Sequence, residues 1–326
     1  MTDAKVTGRH DVFDRIRAAC RTVAERAEHV RVCDERIEAY AAALPAGEPP
    51  RLDADRHFAG NEAETVAYFV TLDAINFGSG YFPYLAKRTG MSGYYTIAAG
   101  LADRFRANGP FSASELAAIT PCDCARTFGQ DMRTFPIREL MGLFARALSD
   151  LGAHVERRFE GRFEGPIESA DRSADRLIEI LSAQPLFRDE VPYRGLAVPF
   201  YKRAQLLTSD LALAFAGKGP GRFRDLARLT VFADNLVPHV LRVDGLLDYS
   251  EPLADAIERG ALIRAGSDEE IEIRACAVHC VELIREALAE SGRIVTSRDL
   301  DQTLWHRGQE AAYKGRKRHR TRTVFY

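Results

Sequence analysis

The stretch PIRELMGLFARALSDL, Pro136 to Leu151, sets the fold class. Its apolar residues Ile137, Leu140, Met141, Phe144, Leu148 and Leu151 recur at intervals of three and four. That spacing gathers them on one face of a helix, and Pro136 belongs at its first turn, where a missing N–H costs nothing. The same pattern extends in both directions. Asp11 to about Leu44 is Ala-rich, charged and free of Gly, and reads as one long helix or two consecutive ones. A polar loop, AGEPPRLD, follows. Asn61 then precedes Glu62 and Glu64 as an N-cap, and Ser112 with Glu115 forms a capping box. Farther on, Ser250 precedes Glu251-Pro252, Ser267 stands three residues before Glu270, and Gly260 and Gly292 close the helices that these begin.

EGRFEGPIE, near 160–168, is the most linker-like stretch, and GKGPGR, near 217–222, joins two helices. The pairs Leu262-Ile263 and Ile294-Val295 offer at most a small β ribbon. Strands do not alternate with helices, and no repeat appears. The expectation is an all-α fold: a single multi-helical domain over 1–326, lobed around the 160s, with 1–50 as a helical extension packed on it.

The 326 residues are 46% hydrophobic, enough for a large core, and carry a formal charge of −2. That balance argues against a general binder of nucleic acid or anionic membrane. The densest apolar run, Val66 to Leu72, is too short to span a bilayer, and the first residues lack a signal-peptide core. A cytoplasmic location is expected. The six cysteines include no C-x2-C pair. Cys276 and Cys280 share a helix face from which His279 is splayed, so packed thiols are expected and no metal.

Four segments depart from ordinary packing. In LDAINFGSGYFP, Leu72 to Pro83, a helix runs into a turn rich in Gly and aromatics. Phe77, Tyr81 and Phe82 there either stack on a flat ring or, as we favour on this segment alone, cover the core. In FYKRAQLLTSDLALAF, Phe200 to Phe215, Asp210 lies in an apolar run. It serves either a salt bridge to Lys202 or Arg203 or catalysis. In LTVFADNLVPHVL, Asp234 sits four residues before Pro238, walled by Phe232. It suits stabilisation of a developing cation, or equally the capping of a helix. At the C-terminal end, Asp301 and Trp305 point the same way on a helix, Gly308 permits a bend before Glu310, and the basic run from Lys314 ends in Val324-Phe325-Tyr326. That apolar ending suggests a tail packed back on the domain. P-loop, dinucleotide, G-x-S-x-G and H-E-x-x-H signatures are all lacking.

With these segments in hand, the chain resembles the queuosine salvage proteins, queuosine 5'-phosphate N-glycosylases/hydrolases. The resemblance runs from about His57 to the last residue. It rests on LDAINFGSGYFP, FYKRAQLLTSDL, FADNLVPHVLRVDGLLDYS, GALIRAGSDEEIEIRACAVHCVELI, DQTLW and HRTRTVFY, in order. It implies a fold like that of helical DNA glycosylases and release of queuine from queuosine 5'-monophosphate, with ribose 5-phosphate as the other product. The Asp of the family's Phe-x-Asp motif falls on Asp234, as nucleophile or transition-state stabiliser, with Phe232 beside it. A base-binding His falls on His57. The acidic, aromatic and acidic set falls on Asp301, Trp305 and Glu310, the last longer than the usual Asp. Where the family often reads FADYRVPQ, this chain has Asn235, Leu236 and His239, which bears on loop packing or on the identity of the nucleotide.

Breaking a ribosyl C–N bond builds oxocarbenium-like charge that a fixed carboxylate stabilises or captures. Queuine is a 7-deazapurine, so the nitrogen that purine hydrolases protonate is missing, and an acidic side chain must assist departure elsewhere on the base. Lys202 is the candidate cation for the 5'-phosphate. No cofactor or metal is implied. The expected partner is a small-molecule nucleotide, with no direct nucleic-acid or membrane contact; the oligomeric state is not legible. Two alternatives stand beside this: an N-glycosidase for another modified purine nucleotide, and a non-catalytic helical nucleic-acid-binding protein.

Overall fold

A computed structural model describes residues 11–45, 52, 53 and 55–326, so most of the AGEPPRLD loop and part of the 1–50 extension lie outside the described residues. Helix α1 (Val12–Arg26) is capped by Asp11, whose side chain accepts from the Asp14 N–H. Of the two expected readings, one long helix or two consecutive ones, the second holds, with a short strand set between the helices. Strand β1 (Val30–Val32) intervenes before α2 (Ile37–Ala43). The cause lies far away in sequence. The fully buried carboxylate of Glu272 accepts the N–H groups of Glu28, His29 and Val30 at 3.0, 2.6 and 3.1 Å, and the Tyr193 hydroxyl at 2.9 Å. Three N–H groups drawn to one carboxylate cannot continue a helical ladder.

Helix α3 (Glu62–Ala74) opens on the predicted Asn61 cap, a full capping box with Glu64, and is buried along most of its length. Next come α4 (Gly93–Asn108), α5 (Ala113–Ala117) with its Ser112–Glu115 box, and α6 (Pro121–Phe128). Helix α7 (Phe135–Phe159) buries Ile137, Leu140, Met141, Phe144, Leu148 and Leu151, as their spacing requires. Each such side chain contributes about 1.5–3 kcal/mol of apolar burial. The linker-like stretch after it is tightly folded. Glu160 takes a left-handed φ of 53°, and a Cβ on Gly165 at the start of α8 (Gly165–Ser169) would lie 2.5 Å from the Phe159 Cβ.

Helix α9 (Ala174–Ser182) leads to an antiparallel hairpin of β2 (Glu190–Tyr193) and β3 (Leu196–Pro199), which delivers the chain into α10 (Lys202–Ala214). Then follow α11 (Val237–Val243), β4 (Leu247–Tyr249), α12 (Glu251–Glu258), α13 (Asp268–Glu290), α14 (Ser297–Arg307) and α15 (Ala311–Lys314). Strand β4 pairs antiparallel with β1, Val30 opposite Tyr249. The two ribbons therefore form elsewhere than expected. Leu262 makes an isolated bridge with Arg320, and Ile294 is 83% exposed. Ser250 precedes α12 without capping it through its side chain. The all-α class holds, with these short ribbons as its β structure among the described residues. No described helix is long and apolar enough to cross a membrane.

One contiguous apolar core runs from Val12 to Tyr313, and α13 passes through it. Arg274 on that helix is buried with Asp189, in a bidentate pair of 3.0 and 2.6 Å, and its Nε donates to the Ala233 carbonyl at 3.0 Å. Asp189 Oδ2 in turn accepts the Lys202 N–H at the start of α10. This buried pair thus ties the segment before Asp234 to the first turn of α10. The tail packs back as expected. Tyr326 is buried beside Arg274, and its carbonyl accepts from the Gly78 N–H at 2.9 Å. Gly80 leaves no room for a side chain, since a Cβ there would sit 2.2 Å from the Thr321 carbonyl oxygen. Phe77 and Tyr81 are core residues, and of that turn's glycines Gly80 makes way for the tail, while Gly78, at a φ of 100°, packs on Leu140.

Candidate active site

Residues 229–236 form a loop of buried side chains, and Asp234 is its half-buried exception. Pro238 does not break a helix here; it sits in the first turn of α11, and the irregular backbone comes before it. Asp234 Oδ1 accepts the N–H groups of Leu236 and Val237 at 2.6 and 3.3 Å. Its other oxygen has no hydrogen bond, and the side chain no ion pair, with any described residue. One oxygen is fixed and the second is open.

Asp301, on α14, is buried and accepts the Phe232 N–H at 2.8 Å. That bond sets the α14 carboxyl two residues from Asp234 along the loop. Burial pushes the Asp301 carboxyl up to about 8; the Phe232 N–H opposes this and the nearby Asp234 charge adds to it. At neutral pH Asp301 therefore holds a proton, two residues along the loop from Asp234. A carboxyl that keeps its proton close to a second carboxyl is a pairing that acid-assisted glycosidic cleavage uses.

Lys202, at the start of α10, is buried, and its Nζ donates to the carbonyl and side-chain oxygens of Asn76, both at 3.3 Å. Burial lowers its pKa, while Asp234, Asp73 and Asp301 favour its charge. Asp73, at the end of α3, is pushed up to about 7 by burial, against its hydrogen bond with Asn76. Asp210 makes neither expected salt bridge. Arg203 donates instead to the carbonyls of Ala74 and Leu186, between the Phe77 and Phe187 rings. The Asp210 carboxyl lies within the field of Asp73, Lys202, Arg298 and Asp301, and burial raises its pKa. Asp73, Asn76 and Arg298 were not singled out in the sequence. Asp73 closes an apolar helix and looks like an ordinary end residue.

His57 is buried, with Nδ1 at 2.8 Å from the Asp53 carbonyl and Nε2 at 2.9 Å from the Tyr94 hydroxyl. The carbonyl requires Nδ1 to donate, so Nε2 accepts from Tyr94, and burial favours this neutral ring. Both nitrogens are engaged. His57 reaches the other candidates through aromatics: Tyr95 lies 6.2 Å from it and 5.9 Å edge-on to Trp305. Trp305 itself is half-buried. Glu310 is exposed and caps α15 without a side-chain bond. Gly308, two residues earlier, packs on Leu236, so Glu310 sits near the rim of the Asp234 loop. Asp234, Phe232, Asp301 and Lys202 thus form one group, Trp305 and His57 an adjoining aromatic run, and Glu310 an outer position.

Cys20, Cys276 and Cys280 are buried free thiols, and no group of three or more His, Cys, Asp or Glu among the described residues is arranged to hold a metal ion. Two open clefts, of about 490 Å³ beside Glu25 and His279 and about 780 Å³ beside His154 and Arg176, hold none of the candidate residues.

The model of the queuosine salvage protein family matches residues 56–326. Among curated proteins, the chain is 38% identical over 313 residues to the queuosine 5'-phosphate N-glycosylase/hydrolase of Sphaerobacter thermophilus, covering 94% of this chain and 96% of that protein. It is 33% identical to the protein of the same name from Dictyostelium discoideum, over 80% of this chain and 78% of that one. For the Mus musculus protein of that name the identity is 29%, over 95% and 98%.

Proposed function

The chain belongs to the queuosine salvage protein family, and on that premise we propose that it hydrolyses the N-glycosidic bond of queuosine 5'-monophosphate, giving queuine and ribose 5-phosphate. The observation that carries the reading is the pairing of Asp234, one oxygen held and one open, with a protonated Asp301 across the Phe232 backbone. As the C–N bond lengthens, the open Asp234 oxygen faces the anomeric carbon and stabilises its positive charge or captures it. Asp301 gives its proton to the polar edge of the departing base. Water then adds to the sugar carbon, and its proton restores Asp301. Trp305 and Phe232 offer apolar surface for the flat base. His57 contributes by fixing Tyr94 and Tyr95, and Glu310 meets the cyclopentenediol amine from the rim.

Lys202 fits a different task from the phosphate contact expected of it. Its donors go to Asn76 and its field to carboxylates, so its charge serves to hold the acidic group together. The residues that differ from FADYRVPQ pack inward. His239 Nε2 lies 2.9 Å from the Tyr313 carbonyl, Leu236 rests on Gly308, and Asn235 is buried. They bear on loop packing, which favours an unchanged substrate. We place the whole reaction in one helical domain and in the cytoplasm. Purified protein incubated with queuosine 5'-monophosphate should release free queuine; turnover confined to other purine nucleotides would overturn the substrate assignment.

A further inference from the structure

We propose that the cleft between α7 and α9 is a second binding site, one that takes a nucleoside di- or triphosphate; this is independent of the reaction proposed above. His154, Arg157 and Arg158 stand three and four residues apart near the end of α7, so they share one face of that helix. Arg176, Glu179 and Ile180 repeat the spacing along α9. The two faces wall a cleft of about 780 Å³, and Phe159 and Ser169 complete its lining. That volume lies within the roughly 300–1,000 Å³ of small-molecule sites. Asp234, Asp301 and Lys202 are not among the residues that line it.

Three guanidinium groups share this lining with one carboxylate, that of Glu179. Arg157 and Arg158 are exposed and make no hydrogen bond or ion pair with any described residue. Arg176 is held loosely, 4.0 Å from an exposed Asp171. Guanidinium groups left with free donors in one cleft suit bidentate contact with phosphate, and three of them suit two or three linked phosphates better than one. Beside them His154 and Phe159 supply aromatic surface, their ring centroids 5.6 Å apart. Burial, Arg158 and Arg157 all favour the neutral His154 ring, and its Nε2 has no hydrogen-bond partner. Charge next to flat apolar surface matches phosphates joined to a base.

The α9 wall is fixed in advance. The turn that leads into it takes left-handed backbone at Asp171 and Arg172, with φ of 47° and 59°, which non-glycine residues avoid unless held there. Arg224 holds it, donating from its N–H to the Arg172 carbonyl and from Nη1 to the Asp171 carbonyl, both at 2.9 Å. The Asp225 carboxylate accepts the Ala174 and Asp175 N–H groups at 2.6 and 3.1 Å. Arg176 thus projects from a pre-organised first turn. An RNA strand fits this surface less well. Glu156, Glu160 and Glu168, on the same segments, are exposed, and the chain carries a charge of −2.

The test is calorimetric titration of the full chain with ATP, tripolyphosphate, adenosine and a single-stranded RNA oligonucleotide, each variant first shown by its melting curve to be folded. ATP should bind more tightly than tripolyphosphate, and both more tightly than adenosine. Arg158→Ala should raise the Kd for ATP by about 10-fold, and Arg157→Ala with Arg158→Ala by about 100-fold. Arg133→Ala, which removes the same charge from an exposed pair with Asp131, should leave it unchanged. No ATP binding at millimolar concentration, or equal losses in the Arg133 variant, would overturn the proposal. So would tripolyphosphate binding as tightly as ATP, or RNA binding more tightly than either. Queuine release by the double variant without ATP should match wild type; a parallel loss would place these arginines in substrate binding and refute a separate site. The titrations decide the matter even if wild type releases no queuine, an outcome that counts against the reaction alone.

Discussion

Replacing Asp301 by Asn should make the protein more stable and far less active, with the stability gain growing with pH. The Asp301 carboxyl is buried and pushed up to about 8, from a reference value of 3.8. A folded-state value above the unfolded one means that the folded chain holds a proton the unfolded chain has released. Stability from this group is therefore complete below pH ~4 and falls as pH rises through about 8, by about 1.4 kcal/mol per unit. At pH 7 the loss reaches about 4 kcal/mol as a ceiling, which for a chain of this size is roughly 5 °C in melting temperature. Asn never ionises and still accepts the Phe232 N–H, so its melting curve should lack this slope. Asp73 and Asp210 titrate in both proteins, so the difference between the two reports Asp301 together with its electrostatic coupling to Asp210. Turnover should meanwhile drop by about 10²- to 10⁴-fold, the usual worth of a general acid, and the wild-type decline in kcat above pH ~8 should vanish in the variant. Thermal melts and queuine release, measured from pH 5 to 9, give both readouts. A variant destabilised equally at every pH, or one with intact turnover, would refute the proton-holding role.

Three further outcomes are expected. Trp305→Ala removes a half-exposed ring with an edge contact to Tyr95, so KM should rise several-fold while the melting temperature shifts little; a collapse in melting would make Trp305 core instead. Arg274→Met leaves Asp189 buried without its partner and frees the Ala233 carbonyl, which should cost about 3–5 kcal/mol in urea unfolding. Gly80→Ala forces a methyl against the Thr321 carbonyl, and should cost about 1–3 kcal/mol in the same assay while loosening the tail to proteolysis.

The sequence spelled out what depends on near neighbours. The α7 stripe, the Asn61 and Ser112 boxes and the packed tail each follow from residues a few positions apart. It could not show what depends on distant partners. Strand β1 separates α1 from α2 because Glu272 takes the N–H groups of Glu28, His29 and Val30, and propensity near Glu28 carries no trace of that. The same holds for the site. Asp234 stood out as a carboxylate in apolar sequence and Asp301 by its place four residues before Trp305, whereas Asp73 did not, and nothing local placed the α14 carboxyl on the Phe232 N–H. Lys202 was assigned the phosphate from its charge alone; its burial and its Asn76 bonds exist only in the fold.

The central claim, that the open oxygen of Asp234 acts on the sugar, is tested most directly by Asp234→Asn. The amide keeps an oxygen for the Leu236 and Val237 N–H groups, so the variant should fold and bind queuosine 5'-monophosphate with wild-type affinity. Single-turnover release of queuine should fall by about 10³-fold or more. Release at the wild-type rate from a folded, substrate-bound variant would contradict it.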